Sequence, residues 1–475
     1  MRKINQLMPL FVLLIGLVCS CSNEDYNINV LQDIVKNKMS FIDPDLDEVF
    51  DMQTLPVINI KVGEEDWNEL LLKYDKNKNV KDYIRCDFSI EKGSKLVTLP
   101  NSGLRLHGNT SRRRPEGNTG ELHSPASIFH HCHYMVNVDK FVKGNSHFFN
   151  NIKKINFKWF HNDPTYVREI YCYDLFKRFD IWSVGYASYC RMNLKVDGDD
   201  NAKYLGVYGM YEIVDEDYLE RREHLFGSSK GFLWKCSNAG LISTDDGKFF
   251  IDDNSTELHP FELKEGKKDF EKAKNQFKNF ITYLNEKEGA DFESWIESVC
   301  DVQLLIRTFA VNVALGNWDD YSNGYNNYYI YFNSRDAYNY KFFFIPYDLD
   351  ETLGRSNPNV SWDPVIQNPF EWGDPNKVDF FKKIVSIPKY KRLYIEALRE
   401  LASSSKDFIA VESSINRITN WQTMLCPYVE NDTGQDMVIE DSPGAWSGQD
   451  RYRLTKLGGG NFFELKCGVI KTLTY

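Results

Sequence analysis

The 475-residue chain has no excess of basic residues: 57 Lys and Arg face 68 Asp and Glu, for a net charge of −11. That balance argues against a nucleic-acid partner, and acidity at this level chiefly confers solubility. The ten cysteines include no CxxC pair and are irregularly spaced, which excludes a disulfide scaffold and leaves most of them as small buried hydrophobes. No low-complexity tract and no internal repeat is present. The apolar run from Met8 to Val18 is too short for a spanning helix.

What is there is globular composition, 42% hydrophobic and 26% charged. The length suits two or three domains, or one large α/β or α+β unit. The first 21 residues, basic, then apolar, then small, read as a signal peptide. Their exit, "LVCSC", resembles a bacterial lipobox with Cys21 as the lipidated residue, and the acidic "SNEDY" after it resembles the export signal of Bacteroidetes surface lipoproteins. The expectation is a cell-envelope protein, lipid-anchored at the outer membrane with a surface-exposed location in view. It would touch the membrane through its anchor only. Residues 22–50 read as an acidic tether.

From residue 51 the pattern is mixed. "LPVINIKV" (55–62) alternates as a strand, "EEDWNELLLKY" (64–74) has helical spacing, and "HCHYMVNVDKF" alternates again. "DPTYVREIYCYDLFKRF" (163–179) carries an Asp-Pro helix-start signal. "CRMNLKVDG" and "KYLGVYGMYEIV" read as a hairpin, and "VQLLIRTFAVNVALG" (302–316) as a helix closed by Gly316. "NNYYIYF" and "YKFFFIPYD" read as a second hairpin, and residues 378–426 as helical. Strands and helices do not alternate regularly, so the fold class is α+β.

The chemistry concentrates where the second hairpin begins and ends. Asp319 and Asp320 follow a helix, Asn326 and Asn327 precede a strand, and the returning strand "KFFFIPYDLDETLG" (341–354) ends in Asp348 and Asp350. Alternation on an extended chain would put those last two carboxylates on one side. Oxygen ligands from Asp and Asn suit Mg²⁺ or Ca²⁺ rather than zinc. The order Asp, Asn, strand, Asp also serves phosphoryl transfer, although no HRD or DFG is present. The bland reading is an acidic surface loop with a structural Ca²⁺ site. His131 and His133 in "HHCH" share a strand face but lack a third ligand, so packing in a core strand is preferred over zinc. "DGDD" (197–200) and "TDDG" (244–247) read as solvated turns.

Five segments, in register, resemble the CotH kinase family, regarded as having an atypical protein-kinase-like fold. They are "SGLRLHGNTSRR", "NDPTYVREIYCYDLFKRF", "KYLGVYGMYEIVDEDYLERR", "GNWDDYSNGYNNYYIYF" and "IPYDLDETLG". The resemblance implies one kinase-like domain over 51–426, with a β-rich first part and a more helical second part; 427–475 would pack on it. It implies phosphorylation of protein Ser or Thr with ATP and Mg²⁺ or Mn²⁺, with Ca²⁺ as an alternative ion. Asp319 is the catalytic Asp, with Asp320 its rival. Asn326 or Asn327, Asp348 and Asp350 hold the metal. Arg105, Gly108, Asn109, Ser111 and Arg112 form a loop over the phosphates, and Glu169 pairs with a phosphate-binding Lys. The family's lysine on the strand after that loop has no counterpart in "FHHCHYMVNVD" (129–139), which leaves Lys235 or Lys154 to substitute in space. The alternative is a catalytically degenerate surface lipoprotein that binds proteins or glycans around a structural metal. The protein substrate is not legible.

Overall fold

The computed structural model describes residues 44–109, 111–242, 250–251, 260–355, 362–374, 380–429, 438–444 and 451–474. The signal peptide with Cys21, most of the tether and the "TDDG" turn lie outside the described residues.

After a short helix α1 (Pro44–Val49), seven strands close into a barrel: β1 (Val57–Val62), β2 (Ile84–Lys92), β3 (Lys95–His107), β4 (His133–Asn137), β5 (Lys154–Trp159), β6 (Ala187–Val196) and β7 (Lys203–Glu212). Their order is β1-β2-β3-β4-β5-β7-β6, and β1 closes the ring by pairing in parallel with β6. All other neighbours in the ring run antiparallel. Alternation fills the interior: Ile58 and Ile60, Leu104 and Leu106, Tyr134 and Val136, and Ile155 and Phe157 all enter one apolar cluster. Helix α2 (Glu64–Lys76) adds Trp67, Leu70 and Leu71 to it, and α3 (Arg168–Arg178) packs on the other cluster, described below. The expected 163–179 helix starts five residues late. Asp163 accepts hydrogen bonds from the backbone of Thr165 and Arg168, so Asp-Pro builds a side-chain-bonded turn before the helix.

Beyond the barrel come α4 (Glu216–Arg221) and α5 (Glu223–Phe226), then a five-stranded sheet interleaved with helices. Its strands are β8 (Phe232–Cys236), β9 (Phe250–Ile251), β10 (Phe261–Glu265), β11 (Tyr328–Phe332) and β12 (Phe342–Pro346), in the order β12-β11-β8-β10-β9. The helices are α6 (Phe270–Glu286), α7 (Gly289–Val299), α8 (Val302–Leu315), α9 (Tyr321–Gly324), α10 (Phe380–Val385), α11 (Pro388–Leu401), α12 (Val411–Leu425) and α13 (Phe462–Lys471). Helix α8 is apolar on nearly every face and buried accordingly. Its Phe309 lies in a second apolar cluster with Phe342, Phe344 and Phe380. Mixed helix and sheet confirm the α+β class; the closed barrel was not foreseen.

The β11–β12 hairpin forms as expected, and both strands are buried throughout. The chain then leaves the strand at Pro346. Asp348 has φ of 56°, so Asp348 and Asp350 are not on an extended segment. They still line one cleft, because Leu349 between them is fully buried and pins the loop. Asp199 of "DGDD" is also not solvated: it is buried, 3.6 Å from the His123 ring. All eight described cysteines are free, and only Cys426 is exposed. Among the described residues no helix is long and apolar enough to cross a membrane.

Candidate active site

The barrel and the second sheet border one cleft of about 1520 Å³. Its polar groups come from a barrel face, from strands of the second sheet, from the start of α3 and from the loops between them.

Gly316 caps α8 in the left-handed region, with φ of 65°. The segment after it presents Asp319. Backbone bonds lace this segment to the acidic end of β12: Trp318 N–H donates to Glu351 O at 3.3 Å, and Leu353 N–H to Leu315 O at 2.9 Å. The indole of Trp318 donates to Arg355 O at 2.9 Å. Asn327 Nδ2 donates to Asp319 Oδ2 at 2.9 Å, and Asn326 Nδ2 approaches both Asp319 oxygens at 3.3–3.4 Å. Burial, reinforced by the Asp350 and Asp348 charges, pushes the Asp319 carboxyl up to about 7. Asp320 has a different position. Its buried carboxylate caps α9 through Asn323 N–H at 3.1 Å and accepts the Trp372 indole N–H at 3.2 Å.

A lysine that the sequence reading missed stands opposite. Lys158 on β5 donates at 2.7 Å to Glu169 Oε1 and at 2.7 Å to Asp348 Oδ1. Glu169 lies in the first turn of α3. Burial pushes its carboxyl up to about 7, against the pull of Lys158. Burial would also raise Asp348, but the Lys158 ammonium outweighs it and holds that carboxylate low; Asp350 is raised by burial and by the Asp348 charge beside it. So the chain does have the lysine partner expected of Glu169, one strand later than where it was sought. The signal was present: Ile155 and Phe157 alternate inward, which turns Lys158 outward.

The other expected residues fall as follows. Arg105, Gly108, Asn109, Ser111 and Arg112 line the same cleft. Gly108 has φ of 95°, and a Cβ there would lie 2.8 Å from Ser111 Oγ and 3.0 Å from His133 Cδ2, so the tight loop requires glycine. The Arg112 guanidinium donates to Lys78 O and Val80 O at 3.2 and 2.9 Å, tying down the neighbouring loop. Arg105 contacts Met135 Sδ at 2.9 Å. Lys235 on β8 faces the cleft with its ammonium 4.9 Å from the Tyr347 ring centroid, and burial holds it below the ordinary lysine range. Lys154 is paired with Asp215 at 2.6 Å. His131 and His133 are both buried and belong to no metal-ligating group among the described residues, but they do not sit in the barrel core as expected: His131 bonds Leu205 O, and His133, which accepts from Trp159 N–H, lines the cleft beside Gly108 on the outward face of β4. Among the described residues no three His, Cys, Asp or Glu side chains form a group able to hold a metal by themselves. Any ion in the cleft therefore needs the asparagine or ligand oxygens as well.

The Lys158–Glu169–Asp348 cluster, Asp319 with its two asparagines and the Gly108 loop thus share one cleft of an α+β fold. The chain belongs to the CotH kinase protein family, which matches residues 104–452. That span holds every residue of the site, from Arg105 to Asp350. A comparison with curated proteins finds no match.

Proposed function

We propose that this CotH kinase family member transfers the terminal phosphoryl group of ATP to a Ser or Thr hydroxyl of a protein, on an atypical protein-kinase-like fold. The observation that carries this reading is Lys158, held between Glu169 and Asp348 at 2.7 Å each, in a cleft that also contains Asp319. Lys158 takes the phosphate-binding role that neither Lys235 nor Lys154 fills, and Glu169 orients it. The loop around Gly108 offers backbone N–H groups to an anion. Asp319 accepts the hydroxyl proton as the hydroxyl oxygen bonds to phosphorus and ADP departs.

A hard divalent ion fits the donor chemistry. Asp348 and Asp350 are neighbouring carboxylates, and the Asp348 charge raises Asp350; the amide N–H groups of Asn326 and Asn327 face Asp319, and since Asn326 Oδ1 already accepts from Asn238 N–H at 3.4 Å, Asn327 offers the freer hard oxygen. Asp348, Asp350 and one of these asparagines would hold Mg²⁺ or Mn²⁺, which would neutralise phosphate charge when bound. The alternative of a non-catalytic protein- or glycan-binding module drew on a missing strand lysine, and Lys158 weakens it. The N-terminal lipobox-like segment supports a lipid-anchored location at the cell envelope, where the phosphoryl donor and the protein substrate meet the cleft outside the membrane.

The test is calorimetric titration of the full chain with ATP, with and without Mg²⁺ or Mn²⁺. Metal-dependent binding that Asp348→Ala abolishes is the expected result. Absence of binding at millimolar ATP would end the kinase reading and leave the family assignment intact.

A further inference from the structure

Four barrel strands lie side by side above the cleft, and their register aligns one row of side chains. Arg105 on β3 is opposite Met135 on β4, Met135 is opposite Asn156 on β5, and Asn156 is opposite Tyr211 on β7. All four line the cleft, while Leu104, Val136, Ile155 and Met210 belong to the barrel cluster. Lys158 lies two residues further along β5 and lines the same cleft, roughly 7 Å from Asn156 along the strand.

Asn156 is out of place in this row. It is only 3% exposed, between Met135 at 6% and Tyr211 at 3%. Its Oδ1 is buried with no hydrogen-bond partner among the described residues. A stranded buried acceptor is costly, and native chains rarely keep one without a use. A ligand that brings an N–H donor to this wall satisfies it. An asparagine amide pairs in two-point fashion with adenine: the 6-amino group donates to Oδ1 while Nδ2–H donates to the ring N7. A 6-oxo purine presents an acceptor to Oδ1 and forfeits that bond. Met135, a flexible thioether, and Tyr211, an aromatic ring, stand on either side of it.

We infer that Asn156 is the base-reading residue of the cleft and selects a 6-amino purine over a 6-oxo purine. The inference rests on the proposed binding of a nucleoside triphosphate: the base lies against Asn156 and the phosphates reach Lys158 on the same strand face.

The experiment is titration of the full chain, in Mg²⁺, with ATP, ITP and 7-deaza-ATP. ITP lacks the 6-amino donor and 7-deaza-ATP lacks the N7 acceptor. In the wild type, ATP binds more tightly than ITP by roughly 5- to 150-fold, the range of one good two-point base contact, and 7-deaza-ATP is also weakened. In Asn156→Leu the ATP-to-ITP ratio falls to about twofold or less, because ATP loses both contacts while ITP loses only the one to N7. A wild-type ratio near one overturns the inference without any variant, while nucleotide binding itself still stands. A large ratio that survives Asn156→Leu overturns it too, by placing base selection elsewhere. If no triphosphate binds, the nucleotide reading falls and this inference falls with it.

Discussion

Replacing Lys158 by Met tests the centre of the site through stability, independently of any substrate. The ammonium, 12% exposed, is shared between Glu169, at 8%, and Asp348, at 37%. Breaking a buried ion pair by removing one partner costs about 3–5 kcal/mol when the other charge stays stranded. Here the cost has an outlet. Asp348 is open enough to be rehydrated, and Glu169 can take up a proton, since burial already sets it at about 7 with Lys158 present. An unfolded glutamate titrates near 4.3, so the folded state holds the extra proton between the two values. Glu169 therefore contributes less stability as pH rises from the unfolded value towards 7, and the wild-type curve levels off above that. Without Lys158 the folded value moves higher, and the fall continues above pH 7 at about 1.4 kcal/mol per pH unit. The variant should lie close to wild type in this respect at pH 6. It should be about 3 kcal/mol worse at pH 9, bounded by the stranded-charge cost. Urea unfolding followed by tryptophan fluorescence at the two pH values reads this directly, and Glu169→Gln in the Lys158→Met background should restore most of the loss at pH 9. A stability difference independent of pH, or a second substitution that adds to the damage, would refute the pairing.

Other outcomes follow from the same neighbourhood. Asp320→Ala removes the cap of α9 and strands the Trp372 indole N–H, so urea unfolding should show a loss of about 2–4 kcal/mol; a stability unchanged to within about 0.5 kcal/mol would contradict its anchoring role. Lys466 on α13 is fully buried, donates to Pro364 O and lies 5.2 Å from the Trp372 ring centroid. Burial pushes it down to about 7, with Asp363 opposing. The unfolded chain then binds more protons from about pH 7 to about 10, so wild-type stability should rise with pH through that window. Lys466→Met should remove the rise, worth about 2 kcal/mol between pH 7 and 9, in unfolding curves at the two values; an unchanged slope would show that Lys466 is not its source.

The site was legible wherever its chemistry is written locally. The cap at Gly316, the paired asparagines before β11 and the carboxylates after β12 are each declared within a few residues, and their order along the chain carries the family likeness. Partnership is not written that way. Asp319 and Asp320 are adjacent and chemically identical, yet one faces the cleft between two asparagines while the other is held by Trp372, 52 residues on. Nothing in the local pattern ranks them. Lys158 was hidden for a related reason. The segment between the glycine loop and β5 contains β4, which has no lysine, so a search of the next strand finds histidines and stops. What brings Lys158 to Asp348, 190 residues away, is the meeting of the outer face of β5 with the loop after β12 across the cleft, and that face exists only once the barrel has closed. The parallel pairing of β1 with β6 joins residues 57–62 to 191–196, a contact with no local signature and a large loop-closure cost. Once the barrel is closed, alternation alone decides the rest. Ile155 and Phe157 must point inward, so Asn156 and Lys158 must point out, onto the face that meets the acidic loops. The pattern "INFK" thus encoded the direction of both side chains, and only the ring that gives "out" its meaning had to come from the fold.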